Sequence, residues 1–182
     1  MAVFETERLT IRPWTHRDDD VDRILDTYGR WEVARWLGAQ PHALTSRDEA
    51  AAVVDRWAAR SVPDPRFGVW AVEVRDSGLV AGSVLLVPLP AAPSEGTAGE
   101  VEVGWHLHPD SWGRGYATEA GRGAIEHGFA GGLDEVYAVV RPDNEPSLAV
   151  CQRLGLRPLG RTSRWYGVEL EAFRTTNPDR RE

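Results

Sequence analysis

The stretch "HPDSWGRGYATEA", His108 to Ala120, sets two glycines and an arginine between an alternating segment, "VEVGWHL", and a run of small residues and helix formers. Where a helix begins, several backbone N–H groups lack partners and the helix end carries about half a positive charge, so an anion placed there is stabilised on both counts. Glycines at 113 and 115 let a bulky diphosphate approach the backbone, Thr118 adds a hydroxyl and Arg114 a guanidinium. The same glycines also permit a plain tight turn, so the corner alone leaves two readings open. Just upstream, Val101, Val103, Trp105 and Leu107 alternate with Glu100, Glu102, Gly104 and His106. In a strand, the first set faces a core, and the second offers carboxylates and an imidazole to a cleft or to solvent.

Several elements must position that corner. A strand over 100–107, the corner, a helix over 116–129 and a β-branched strand in "LDEVYAVV" make a βαβ unit, with a right-handed crossover and parallel strands. Small residues at Ala117, Ala120, Gly121, Ala124 and Gly128 recur about once per turn, so the helix can lie close to a sheet. The pair Gly131 and Gly132 supplies its left-handed stop. Upstream, "ERLTIRPW" reads as a first strand ended by Pro13, and "HRDDDVDRILDTYGR" as a helix with acids in its first turn. In "TSRDEAAAVVDRWAAR", Thr45 or Ser46 is the N-cap and Asp48 or Glu49 completes a capping box. "RFGVWAVEVR" and "LVAGSVLLVP", joined by "DSG", form an antiparallel hairpin. "PLPAAPSEGTAG" has the composition of a mobile loop between strands.

Composition excludes several classes. A chain of 182 residues that is 42% hydrophobic fits one globular domain, 1–182, of α/β class. No run matches a membrane span and "MAVFETERL" is not a signal peptide, so the expected compartment is the cytoplasm. All 21 basic residues are arginine, which removes Walker P-loops and Schiff-base lysines. The lone Cys151 excludes an internal disulfide and a cysteine-based metal cluster, and no metal is expected. A net charge of -7 argues against nucleic acid and for a cationic substrate.

"GRGYAT" begins like a dinucleotide-binding G-x-G-x-x-G, with Asp143 at the end of the next strand, but Thr118 stands at the third glycine and the unit lies past mid-chain. "WGRGYA", Trp112 to Ala117, instead resembles Q/R-x-x-G-x-G/A, the diphosphate loop of the GNAT acyl-CoA N-acyltransferases, with Trp112 in place of Gln or Arg. "ETERLTIRPW" and "VEVGWHLHPDSWGRGYATEA" resemble the first strand, and the fourth strand with its loop, of the ribosomal-protein N-terminal acetyltransferase (RimJ/RimL-type) branch. "NEPSLAVCQRLGL", Asn144 to Leu156, is similar to the element that follows that branch's fifth strand.

The resemblance implies a mixed sheet whose parallel fourth and fifth strands splay apart, helices on both faces, and acetyl-CoA in the gap. Pantetheine amides would bind the strand backbone at His106, Leu107 and His108, and the amides of Arg114, Gly115, Tyr116, Ala117 and Thr118 would bind the diphosphate. Asn144 would hold the pantetheine arm or a water, and Ser147 would face the thioester sulfur. An amine attacks the thioester directly, with Glu102 as candidate base, His106 second and a water chain third. A tyrosine acid common in the family would fall near Cys151, so the acid is unassigned. Trp165 and Tyr166 stand where an acceptor pocket or strand packing would use them, and "TSRWYG" lacks a glutamate that ribosomal-protein enzymes can carry. The acceptor is a protein N-terminal or small-molecule amine, with a homodimer left open. The alternatives are a GNAT-fold acyl-CoA-binding module without turnover and a dinucleotide-binding oxidoreductase.

Overall fold

Leu9, Ile11, Val72 and Val84 are fully buried residues of neighbouring strands, and burying each such side chain contributes about 1.5–3 kcal/mol. They belong to an eight-stranded sheet in a computed structural model that describes residues 1–61, 63–90 and 99–179. The strands are β1 (Phe4–Glu5), β2 (Leu9–Pro13), β3 (Gly68–Val74), β4 (Val80–Pro88), β5 (Val101–Leu107), β6 (Glu135–Val140), β7 (Arg157–Thr162) and β8 (Leu170–Thr176). Their order is β1-β2-β3-β4-β5-β6-β8-β7, so the final strand inserts between β6 and β7. All neighbours are antiparallel except β5 and β6. Counting from β2, β5 and β6 are the fourth and fifth strands the sequence reading expects to be parallel.

The helices are α1 (Asp18–Tyr28), α2 (Trp31–Ala34), α3 (Arg47–Ser61), α4 (Tyr116–Ala130) and α5 (Glu145–Arg153). One sheet face packs on α4 and α5 in a core that includes Ala120, Ala124, Val103 and Cys151. The other face packs on α1 and α3 through Trp14, Ile24, Tyr28 and Val53. α3 starts with the expected box: the Glu49 N–H donates to Ser46 Oγ at 3.2 Å and the Glu49 carboxylate accepts from the Thr45 N–H at 2.6 Å. The acids that open α1 do more than complement the helix end. Asp20 is 1% exposed and accepts from the Arg12 guanidinium, tying α1 to β2. Residues 91–98 of the Pro/Ala-rich stretch lie outside the described residues. Among the described residues, no helix is long and apolar enough to cross a membrane.

Candidate active site

The parallel pair β5 and β6 is joined at a single register point, Glu102 opposite Tyr137, beyond which the strands part. Ladder parity decides what β5 offers to the gap. The Glu100 carbonyl accepts from the Leu89 N–H at 2.8 Å, and the His108 N–H donates to the Ala81 carbonyl at 2.9 Å. With the register between them, this makes every even-numbered residue of β5 a hydrogen-bonded partner of β4. Glu102, Gly104 and His106 therefore spend their backbone groups on β4, and His108 its N–H, its carbonyl accepting from the Ser111 N–H, whereas Trp105 and Leu107 turn theirs toward the gap. Of the three residues expected to offer backbone there, Leu107 does so, and His106 and His108 do not. Trp105 takes their place, because alternation in the sequence shows two faces but not which set of amides points to which neighbour.

The corner after β5 is a 3-10 turn, Pro109–Ser111, followed by Gly113 and Gly115, both in the left-handed region at φ 73° and 80°. Gly115 is the N-cap of α4, and no side chain caps it. The Glu119 N–H donates to the Gly115 carbonyl at 3.0 Å, so the N–H groups of Tyr116, Ala117 and Thr118 have no partner within the helix. Thr118 Oγ1 is buried without a hydrogen-bond partner among the described residues. Trp112, 49% exposed, donates its indole N–H to the Leu107 carbonyl at 2.8 Å, which fixes the loop to the end of β5. Arg114 is exposed.

Arg8 is the residue the sequence reading missed here. Its guanidinium donates to the Arg114 carbonyl at 3.0 Å and to Glu119 at 2.6 Å, and lies 5.0 Å from the centroid of the Tyr116 ring. Burial works to raise the Glu119 carboxyl, but hydrogen bonds from Thr6 and Arg8 outweigh it and hold the group below the usual carboxylate range. Glu119 is thus ionised in the first turn of α4, with its charge balanced by Arg8. The "TER" segment that carries Arg8 was legible only as part of a strand motif.

A cavity of about 840 Å³ runs from this corner along the gap to the opposite sheet face. Tyr116, Ala117, Thr118, Asn144 and Ser147 line the end at the corner, Trp36, Trp57, Arg60, Leu85, Glu102 and Tyr166 line the other, and Arg141, bonded to the Gly38 carbonyl, borders Trp36. Gly104 lies between Glu102 and His106 on that second face, and a Cβ there would come within 3.1 Å of Leu85. The missing side chain lets Leu85 pack between the two titratable groups. Asn144 caps α5, accepting the Ser147 N–H at 3.4 Å.

Glu102 accepts from the Tyr166 hydroxyl at 2.6 Å. Burial pushes its carboxyl up to about 7, against the lowering effects of that bond and of Arg60. Tyr166 itself is raised by burial and by the Glu102 charge. It holds a left-handed backbone, φ 61°, the one non-glycine residue to do so among those described. Burial pulls the His106 imidazole down to about 4, so it is neutral at pH 7. Its Nδ1 lies 3.3 Å from the Tyr28 hydroxyl, which in turn bonds Ser83 at 2.7 Å. Trp165 is buried and donates to Glu100 at 2.9 Å, so of the two aromatics Trp165 packs and Tyr166 faces the cavity. Cys151 is fully buried, and burial pushes its thiol up to about 12.

A split parallel pair, an uncapped helix start at its mouth and a perturbed carboxylate at its crotch meet in this one cavity. Residues 8–157 match the family model described as an acetyltransferase (GNAT) domain, and the chain belongs to that family of acetyltransferases. It is 28% identical over 160 residues to the uncharacterized N-acetyltransferase YoaA of Bacillus subtilis, covering 87% of this chain and 84% of that one. The ribosomal-protein-S5-alanine acetyltransferase of Vibrio fischeri shares the fold with TM-score 0.72, 20% identity and 98% coverage of both chains. The microcin C7 self-immunity acetyltransferase MccE, solved with acetyl-CoA and AMP, does so with TM-score 0.74, 15% identity and coverage of 94% and 93%. A dinucleotide-binding fold is not favoured: the βαβ unit follows four strands and joins a mixed sheet.

Proposed function

We propose that the protein transfers an acetyl group from acetyl-CoA to a primary amine, by direct attack within a ternary complex, with Glu102 as the general base. The observation that carries this reading is the place of Glu102, at the last paired residue before β5 and β6 part and inside the cavity on the acceptor side. A carboxylate with its pKa raised to about 7 is matched to taking a proton near neutral pH.

The residues present fit acetyl-CoA, which supplies an activated thioester and a thiolate leaving group. The open N–H groups of Tyr116, Ala117 and Thr118, with those of Arg114 and Gly115, suit a diphosphate, and the orphaned Thr118 hydroxyl finds a partner there. The gap-facing backbone of Trp105 and the Leu107 N–H take pantetheine amides as an added strand would, at about 1 kcal/mol net per bond, the Leu107 carbonyl being held by Trp112. Asn144 spends its Oδ1 on the Ser147 N–H and keeps Nδ2 for the pantetheine arm. Ser147 lines the same half and is assigned to the departing sulfur.

Glu102 draws the proton from the incoming ammonium, and the cost of that step depends on the acceptor. An α-amine of pKa about 8 costs roughly 1.4 kcal/mol to deprotonate at pH 7, and a lysine-like amine of about 10.4 roughly 4.6 kcal/mol. One carboxylate suffices for the first. His106, neutral and with Nδ1 beside Tyr28, is the weaker base and acts as a wall. Cys151, buried and protonated, takes no covalent part.

The test is thiol release from acetyl-CoA over a panel of peptides with varied N-termini, amino acids, polyamines and antibiotic amines, with thermal shift by CoA measured alongside. Release only in the presence of an amine is expected. A thermal shift with no release from any amine would make the protein a binding module and refute the reading.

A further inference from the structure

Building on acetyl transfer at Glu102, we infer that the acceptor is a free α-amino acid with a large apolar side chain, its ammonium group at Glu102 and its carboxylate at Arg60. The acceptor half of the cavity is walled by Trp36, Trp57, Leu85, Val168 and Leu170. Leu85 and Trp57 there rest on a buried cluster with Val69 and Val87. Such a bed favours an apolar or aromatic body over a hydrated one.

The charges in this half are few and of both signs, and Arg141 at its Trp36 border spends its guanidinium on the Gly38 carbonyl. Glu102 is the carboxylate inside it. Glu32, which also lines the cavity, has a side chain 52% exposed and sits 4.0 Å from Arg30. A polyamine or other polycation would need several carboxylates, and one interior carboxylate suits a single amine. Arg60, in the last turn of α3, lines the same half and bears electrostatically on both Glu102 and Tyr166. Among the described residues Glu73, Asp64 and Glu100 pair with other arginines, with Arg12, Arg66 and Arg164. A guanidinium is built to take a carboxylate through two parallel N–H donors.

An α-amino acid carries its ammonium and carboxylate on one carbon, so it presents to this cavity the two charges opposite to Glu102 and Arg60. The side chain then projects onto the tryptophan and leucine walls. A peptide N-terminus would offer Arg60 only a neutral carbonyl, which forms a weaker bond than a carboxylate.

The experiment compares kcat/KM for L-leucine, L-phenylalanine and L-tryptophan with that for their primary amides, alongside L-aspartate, spermidine and short peptides, in the wild type and in Arg60→Gln. With each kcat/KM referred to the free-amine fraction of that acceptor, the free apolar acids should exceed their amides by about tenfold or more, the worth of one charge-assisted pair. Arg60→Gln should lower the acids about tenfold more than the amides, so that the preference collapses, while thermal shift by CoA persists. Amides, peptides or spermidine used as well as the acids by the wild type would overturn the inference and leave acetyl transfer standing. So would an Arg60→Gln variant that lowers acids and amides equally. Thermal shift by CoA with no acetylation of any amine would overturn acetyl transfer and this inference together.

Discussion

Removing the hydroxyl of Tyr166 should move the pH dependence of the enzyme without moving its affinity for CoA. Tyr166 donates to Glu102 at 2.6 Å, and the bond favours the ionised carboxylate against the burial that disfavours it. A hydrogen bond to a charged group is worth about 1.5–3 kcal/mol, and the low end applies because Tyr166 is 37% exposed. At 1.36 kcal/mol per unit, Tyr166→Phe raises the Glu102 pKa by about one unit, from about 7 to roughly 8. The ionised fraction at pH 7 then falls from about one half to one tenth, and at pH 9 stays near nine tenths. The assay is kcat/KM of the variant divided by that of the wild type from pH 6 to 9, a ratio in which the acceptor's own titration cancels. It should stand near one fifth at pH 7 and approach one at pH 9. A ratio constant across pH would refute the assignment, because it would show that Tyr166 packs against the acceptor without tuning Glu102.

Four further outcomes follow from the same geometry. Gly115→Asp puts a side chain into a left-handed backbone and a negative charge onto the open end of α4, so thermal shift by acetyl-CoA should vanish while far-UV circular dichroism is kept. Arg8→Ala leaves the Glu119 charge unbalanced in the first turn, so CoA affinity should fall several-fold, and Glu119→Gln in the same chain should restore part of it; calorimetry measures both. Ser147→Ala should slow turnover while leaving CoA affinity within a few-fold, whereas Cys151→Ala should cost stability, about 1 kcal/mol, with little effect on turnover. Glu102 has a folded-state pKa above its unfolded value, so the wild type loses stability as pH rises from about 4.5 through about 7. Glu102→Gln should therefore melt a few degrees higher than wild type at pH 8, and the difference should close near pH 4.

The strand at 101–107, its βαβ unit and the glycine corner were legible because alternation, small-residue spacing and the two glycines are local signals. So was the hairpin of β3 and β4, marked by "DSG". The insertion of β8 between β6 and β7 was not, since it depends on pairing between Ala138 and Phe173 that no periodicity encodes. For the same reason the sequence singled out His106 and His108 beside Leu107, where the register turns Trp105 and Leu107 to the gap. Glu102 was singled out as a candidate from its face of the strand, but the two groups that tune it, Tyr166 and Arg60, are distant in the chain and come together only in the fold. Arg8 escaped because its contacts with Arg114 and Glu119 span more than half the chain.

The most direct test of the central claim, that Glu102 takes the proton of the attacking amine, is the pH dependence of kcat/KM in the wild type beside that of Glu102→Gln, with one acceptor throughout. The account predicts a wild-type inflection near 7 that is missing from the variant, a loss of roughly 10²-fold on its upper side, and an unchanged Kd for acetyl-CoA. A variant that keeps the same inflection and the same rate would contradict it, and would hand the proton to water or to His106.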